Sequence, residues 1–237
     1  MAESAQKTFP DRAILVVARY PVWSAFAGLL SMAVFHLPLW SDRRIGFYKL
    51  MGCGRNGTFD IWPAWTQWAL LVFIPSDRLI EEPDPHRFLR GNLGGFISGW
   101  WRFFGVRHRR FLLEPVSGHG TWDGRAYMGT STADGEGPMA VLTRASIRPS
   151  RLWHFWSSVP EAARSLADHP GLVYSVGIGE VPLLRQATFS IWRSLAEMKA
   201  YAYGAPAHRE AIRKTQQLNW YSEEMFLRFR VLQVAQD

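Results

Sequence analysis

The feature that most constrains this chain is a fixed succession of hydrophobic periods between residues 140 and 234. Residues 140–147 (AVLTRASI) alternate and predict a strand. Ser150 stands where it could cap the helix that follows, and Leu152, Phe155, Trp156, Val159, Ala163 and Leu166 then recur at helical spacing. His169-Pro170-Gly171 ends that helix. Residues 172–178 and 186–192 predict two strands joined by a turn near Glu180 and Pro182. A second helical region runs from Ser194 to Trp220, interrupted near Gly204-Ala205-Pro206, and residues 225–234 (MFLRFRVLQV) close as a strand.

The resulting order is β-α-β-β-α-β, the ferredoxin-like split βαβ unit. The first half reads the same way with weaker signals. Residues 13–19 form a strand, residues 22–50 a helical stretch broken near Pro38, and residues 67–74 (QWALLVFI) a strand. A Gly-interrupted helix over 87–104 and a strand over 109–115 follow. The expectation is an α+β chain of two tandem ferredoxin-like units, 13–128 and 139–237, forming a dimeric-α/β-barrel-like core. Residues 129–138 (GTSTADGEGP), which lack apolar periodicity, would be the linker. Residues 22–40 approach the length of a membrane span, but Ser24, Ser31, His36 and Pro38 interrupt them and they directly follow a strand. They are read as a buried helix.

Composition bounds the function. At 48% hydrophobic and 20% charged, the chain has ample material for a core. Twelve Trp and fifteen Phe exceed ordinary core filling and suggest a pocket for a flat or long apolar ligand. The net charge of +7 is carried by scattered arginines and short clusters without a basic helix, which argues against nucleic acid. The single cysteine, Cys53, excludes an internal disulfide and a thiolate metal cluster and fits a reducing compartment. The first twelve residues carry no apolar signal region, so the expected location is cytoplasmic, with membrane association left open. The short Gly177-Ile178-Gly179 lacks the rest of a nucleotide fingerprint, and no HExxH spacing occurs.

Individual histidines remain. His36, in an apolar helix, is expected in the core, whereas His86, His108 and His169 are expected at the surface. His119 lies between two glycines and could edge a pocket. His208 has the most suggestive setting. Pro206 suits the first turn of a helix, and from that opening His208 shares a face with Ile212 and Thr215. Tyr201, Tyr203, Trp220 and Tyr221 flank it. A neutral imidazole among apolar groups suits an axial haem ligand, and a surface histidine at a helix start fits the same pattern.

Residues 137–192 and 200–229, with FYKLMGCGRNGTF (47–59) and SGHGTWDG (117–124), resemble the spheroidene monooxygenase family of carotenoid biosynthesis. The similarity spans nearly the whole chain, and IGEVPLLRQATFSIW and NWYSEEMF are its most unusual segments. The resemblance implies a haem b oxygenase that oxidises acyclic carotenoids beside the methoxy-bearing end, giving hydroxy and then keto products. It further implies O2 and a ferredoxin-type electron donor. Under it, His208 falls on the family's Ala-His segment and would ligate the iron, with Ile212 and Trp192 beside the cofactor. Arg144 and Thr188 would be catalytic groups from barrel-lining strands. Lys49 and Arg55 would hold the propionates. The first half departs from the family in its wealth of Trp (Trp62, Trp65, Trp68, Trp100, Trp101), which puts the substrate in doubt. Two other readings stay open: a dehydratase- or peroxidase-type haem enzyme on the same scaffold, and a non-catalytic carrier of haem or an apolar ligand. Homo-oligomerisation and peripheral membrane contact are likewise open.

Overall fold

The computed structural model describes residues 12–55, 60–74, 94–126 and 137–236; at 94, 206–208, 211, 212 and 216 it describes the backbone alone. Contacts divide the chain into two compact units. One groups Phe9–Cys53, Ala64–Glu114 and Leu232–Asp237, the other Gly54–Pro63 and Pro115–Val231. The expected linker falls largely on 127–136, outside the described residues.

In the first unit β1 (Arg12–Arg19) lies between β3 (Pro63–Ile74) and the opening of β4 (Arg107–Trp122), antiparallel to both. The strand β2 (Phe47–Gly54) adds beside β3, giving the order β2-β3-β1-β4. Six consecutive buried residues of β1, Ala13–Ala18, make it the central strand. Helices α1 (Ala25–Val34), α2 (His36–Ser41) and α3 (Gly94–Phe103) accompany this sheet. Their core joins Phe35, Leu39, Ile97 and Trp101 to Ile14, Val16, Leu70 and Val72.

Four expectations change here. The helical stretch stops at Ser41, because Asp42 Oδ1 accepts the Arg44 backbone N–H at 2.9 Å and turns the chain, and residues 47–50 belong to a strand. The helix breaks at Phe35 instead of at Pro38, which sits in the first turn of α2 where its missing N–H costs nothing. The stretch 22–40 is only partly buried: Ala27, Gly28 and Ser31 are inside, while Trp23, Phe26 and Leu29 are exposed. His36 is exposed as well, its Nδ1 3.0 Å from the Tyr48 hydroxyl.

The second unit holds β6 (Met139–Ile147), α4 (Leu152–Ala167), β7 (Leu172–Val181), β8 (Arg185–Trp192), α5 (Leu195–Gly204), α6 (Pro206–Leu218) and, up to Val231, β9 (Tyr221–Gln236), in the anticipated order. With the end of β4 and the short β5 (Arg125–Ala126), its strand order is β7-β8-β6-β9-β4-β5. Ser150 does not cap α4. It lies inside a 3-10 turn (Pro149–Arg151), and Arg151 takes the cap position without a side-chain bond. Ser194 does cap α5, accepting the Glu197 N–H at 3.2 Å, and Pro206 opens α6. The unit is α+β, as is the first.

Candidate functional site

Side chains alternate along a strand, so the register sorts the second unit's sheet into two faces. Val141 and Trp192 lie on the face covered by helices, where they pack with Leu166 of α4 and Met198 and Tyr201 of α5. At the other end of that face, Ile147 packs with Phe155, Trp156 and Val159 of α4 and with Trp220. Between the two clusters the cover is incomplete. Thr143, at the middle of β6 with a strand paired on each side, is exposed.

A row of residues crosses the sheet at this gap: Gly177 opposite Thr188, Thr188 opposite Thr143, and Thr143 opposite Phe226. His119 stacks on Phe226 at 5.2 Å, extending the floor sideways. The neighbouring row is also small where it meets this one, with Ser175 opposite Ser190 and Ser190 opposite Val141. Glycine, serine and threonine line this gap in the helical cover, the slot, with small side chains. Its one buried hydroxyl without a hydrogen-bond partner among the described residues is that of Thr188. Such an atom normally costs about 1–3 kcal/mol unless something answers it.

Helix α6 runs beside this slot's two walls. Ala205, just before it, packs in the Trp192 cluster, and Leu218, its last residue, packs in the Trp220 cluster. His208 is in its first turn. The side chains of His208 and Ile212 lie outside the described residues. Trp192 is buried, donates Nε1–H to Ser190 Oγ at 3.0 Å and stacks on Tyr201 at 5.1 Å. Burial pushes the Tyr201 phenol up to about 12, keeping it neutral. His169, expected at the surface, is half-buried against this pair, 5.4 Å from Trp192 and 5.6 Å from Tyr201. Its Nδ1 accepts the Gly171 N–H at 3.1 Å.

Arg144 points the other way. It pairs across the sheet with Ala187 and Met225, so it shares neither face nor neighbours with Thr188 and Trp192. Its guanidinium, 1% exposed, donates to Glu223, lies 3.4 Å from Glu180 and 3.9 Å from Asp123, and sits 5.5 Å from the centre of the Trp122 ring. The same carboxylates hold the β4–β5 hairpin. Glu223 accepts from Thr121 Oγ1 and the Gly124 N–H, both at 3.0 Å, and Glu180 accepts from Trp122 Nε1 at 2.9 Å. Asp123 and Gly124 turn that hairpin with positive φ, 50° and 70°, as a two-residue turn requires. Burial alone would raise the Glu223 carboxyl; the Gly124 N–H, Arg144 and Thr121 outweigh it and hold the group below the usual range. Arg144 is thus a structural clamp, its donors committed to carboxylates.

The remaining expected residues lie in and just after β2. Lys49 lies on β2 in the first unit with its ammonium 5.4 Å from the Phe47 ring centre. Arg55 is exposed just beyond β2, where its N–H meets the Trp62 carbonyl at 3.3 Å. Cys53 is buried, and burial pushes its thiol up, away from reactivity. Among the described residues no group of three or more His, Cys, Asp or Glu could hold a metal ion.

The elements define an α+β protein, with helices packed against the second unit's sheet. The fold is shared with an aldoxime dehydratase solved with butyraldoxime: TM-score 0.61, 10% identity, covering 95% of this chain and 82% of that one. No family model matches the sequence. Individual relatives do. It is 32% identical over 226 residues to the spheroidene monooxygenase of Rhodobacter capsulatus, covering 93% of this chain and 90% of that protein. It is 37% identical over 192 residues to that of Rubrivivax gelatinosus, covering 79% and 69%. The chain belongs to the spheroidene monooxygenase family, and it is an oxidoreductase of the monooxygenase kind.

Proposed function

We propose that this chain is a haem-dependent monooxygenase that oxidises an acyclic carotenoid with O2 and electrons from a ferredoxin-type donor. The observation that carries the reading is the slot over Gly177, Thr188 and Thr143, with α6 anchored at both of its ends. The relatives' name supplies the substrate class, since spheroidene is what it says they act on. A small-lined floor, aromatic walls and a buried hydroxyl in want of a partner suit a flat prosthetic group. His208, from the first turn of α6, would ligate the iron, with Ile212 one turn further on. Bound haem would supply dioxygen activation, which the protein's own side chains lack.

The chain's residues then have separate tasks. Thr188 offers its hydroxyl as a donor to an oxygen atom in the slot. Trp192, locked by Ser190 and Tyr201, closes one end and excludes water there. Arg144 keeps the β4–β5 hairpin folded from the opposite face and takes no part in the chemistry. We assign the propionate role expected of Lys49 and Arg55 to neither with any support from their surroundings. The strand orders β2-β3-β1-β4 and β7-β8-β6-β9 support reading the two halves, 13–128 and 139–237 about a 129–138 linker, as ferredoxin-like units of a dimeric-α/β-barrel-like core.

The test is spectroscopic. Protein reconstituted with haem should show a Soret band that shifts on reduction and again with carbon monoxide. The His208→Ala variant should lose stoichiometric haem or alter the band, with imidazole restoring it. An unchanged band in that variant removes His208 as the ligand.

A further inference from the structure

We propose that the helical layer of the first unit is a docking face for an anionic lipid bilayer, lying on the membrane surface without crossing it. The first part of the helical stretch from Val22 to Ser41 is built inside out: Ser24, Ala27, Gly28 and Ser31 are buried, while Val22, Trp23, Phe26, Leu29 and Leu30 are exposed, and Phe35 and Leu39 further on anchor the stretch to the core. A helix that faces water does the reverse. The outward stripe continues beyond the break at Phe35 with Leu37 and Trp40, 72% and 79% exposed.

Helix α3 widens it. Phe103, 78% exposed, stacks edge-on against Phe104 at 4.9 Å; Phe104 in turn lies 5.9 Å from Phe26 and 6.3 Å from Trp23. The result is one continuous apolar surface with tryptophans at both ends, the composition of an interfacial helix layer.

Charge says what covers it. No acidic residue occurs in 22–41 or 94–113, and Asp42 is engaged by Arg44. Arg19, Arg43, Arg102 and Arg107 are exposed beside these segments, and none has an ion-pair partner among the described residues. Arg19 and Arg107 stand directly opposite each other on β1 and β4, a like-charge pair that costs stability unless an anion answers it. An apolar face bordered by exposed cations matches acyl chains bordered by lipid phosphates. A second copy is a poorer match, because a two-fold contact would bring like border against like.

The stretch is long and apolar enough to cross a membrane, but its inner side is already committed. A Cβ on Gly28 would lie 2.2 Å from Trp68 Nε1, and Ser24 Oγ donates to the Phe104 carbonyl at 3.1 Å. Spanning would strip Phe35 and Leu39 from the core. The purpose, access to a bilayer-dissolved polyene, rests on the proposed function; the binding itself does not.

Flotation of the full chain with vesicles tests it without turnover, so failure here leaves the oxygenase reading standing. The chain should float with phosphatidylcholine vesicles containing phosphatidylglycerol, weakly with phosphatidylcholine alone, and be released by alkaline carbonate. Removing one border cation, as in Arg43→Gln, should weaken partition about fivefold. Phe26→Glu should abolish flotation with an unchanged melting temperature. Should that variant fail to fold, quenching of the wild-type tryptophans by lipids brominated near the headgroup decides instead, and strong quenching is expected. No binding to anionic vesicles, retention through carbonate, or a lipid-free dimer that Phe26→Glu dissociates would each overturn the proposal.

Discussion

Replacing Thr188 with valine separates what the hydroxyl does for the fold from what it does for a ligand. Thr188 pairs with Gly177 and Thr143 in the middle of the sheet, its Oγ1 is buried, and no partner among the described residues reaches it. A buried hydroxyl without a bond costs about 1–3 kcal/mol, and valine has the same shape and favours strands. Thr188→Val should therefore stabilise the ligand-free chain by about 1 kcal/mol, raising its melting temperature by roughly 2–4 °C for a protein of this size. The same change should weaken the function. Loss of one neutral hydrogen bond of about 0.5–1.5 kcal/mol lowers kcat/KM by roughly 2- to 12-fold. Thermal unfolding of the ligand-free protein, with steady-state turnover of the loaded one, reads both effects, and Thr188→Ser should restore activity. A valine variant that is less stable by more than about 1 kcal/mol would mean the hydroxyl is already satisfied. One that is more stable and fully active would reduce Thr188 to a packing defect.

Three further outcomes follow from the same geometry. Arg144→Met should destabilise the second unit by about 3 kcal/mol, since it strands Glu180 and Glu223 beside each other; denaturant unfolding measures it, and a neutral result would dissolve the clamp. Because the Glu223 carboxyl is held below its ordinary 4.5, its contribution is fully present above that pH and fades as the pH falls through the lowered value. Stability should therefore decline on acidification, with a shallower slope in Glu223→Gln. Gly28→Ala should cost about 1–3 kcal/mol, because the new methyl would collide with the Trp68 ring; a melting temperature equal to wild type would show that Trp68 moves freely.

Much of the fold was legible because hydrophobic period is a local property. The strand at 140–147, the interruption at Gly204-Ala205-Pro206 and the turn near Pro182 each depend on residues a few positions apart. The overrun of the first helix to Leu50 came from an apolar stretch whose stop is a side-chain bond of Asp42, which periodicity does not register. His36 was expected inside for a related reason. An apolar helix normally buries most of its apolar residues, and this one leaves Trp23, Phe26, Leu29, Leu37 and Trp40 exposed.

The site was legible only in part, because its grouping depends on register. Alternation alone puts Thr188 and Trp192 on one side of β8 and sets Arg144 opposite Thr143 on β6. Which side of β6 matches which side of β8 is fixed by pairing, and that pairing separates Arg144 from the other two. Thr143 was missed, though a signal existed: a polar residue between Val141 and Ala145, on the alternation that should face the helices. Gly177 was set aside as half of a nucleotide motif, yet it pairs with Thr188 in the row that crosses the gap. His169 was missed because a Pro-Gly neighbour suggested exposure, while the aromatic pair that shelters it comes from β8 and α5.

The most direct measurement is isotopic. Haem-loaded protein, given a reductant and an acyclic carotenoid under 18O2, should form a hydroxylated product carrying one 18O atom, analysed before any ketone can exchange with water. The His208→Ala variant should form none. A product whose oxygen comes from labelled water, or equal turnover without haem, would contradict the account.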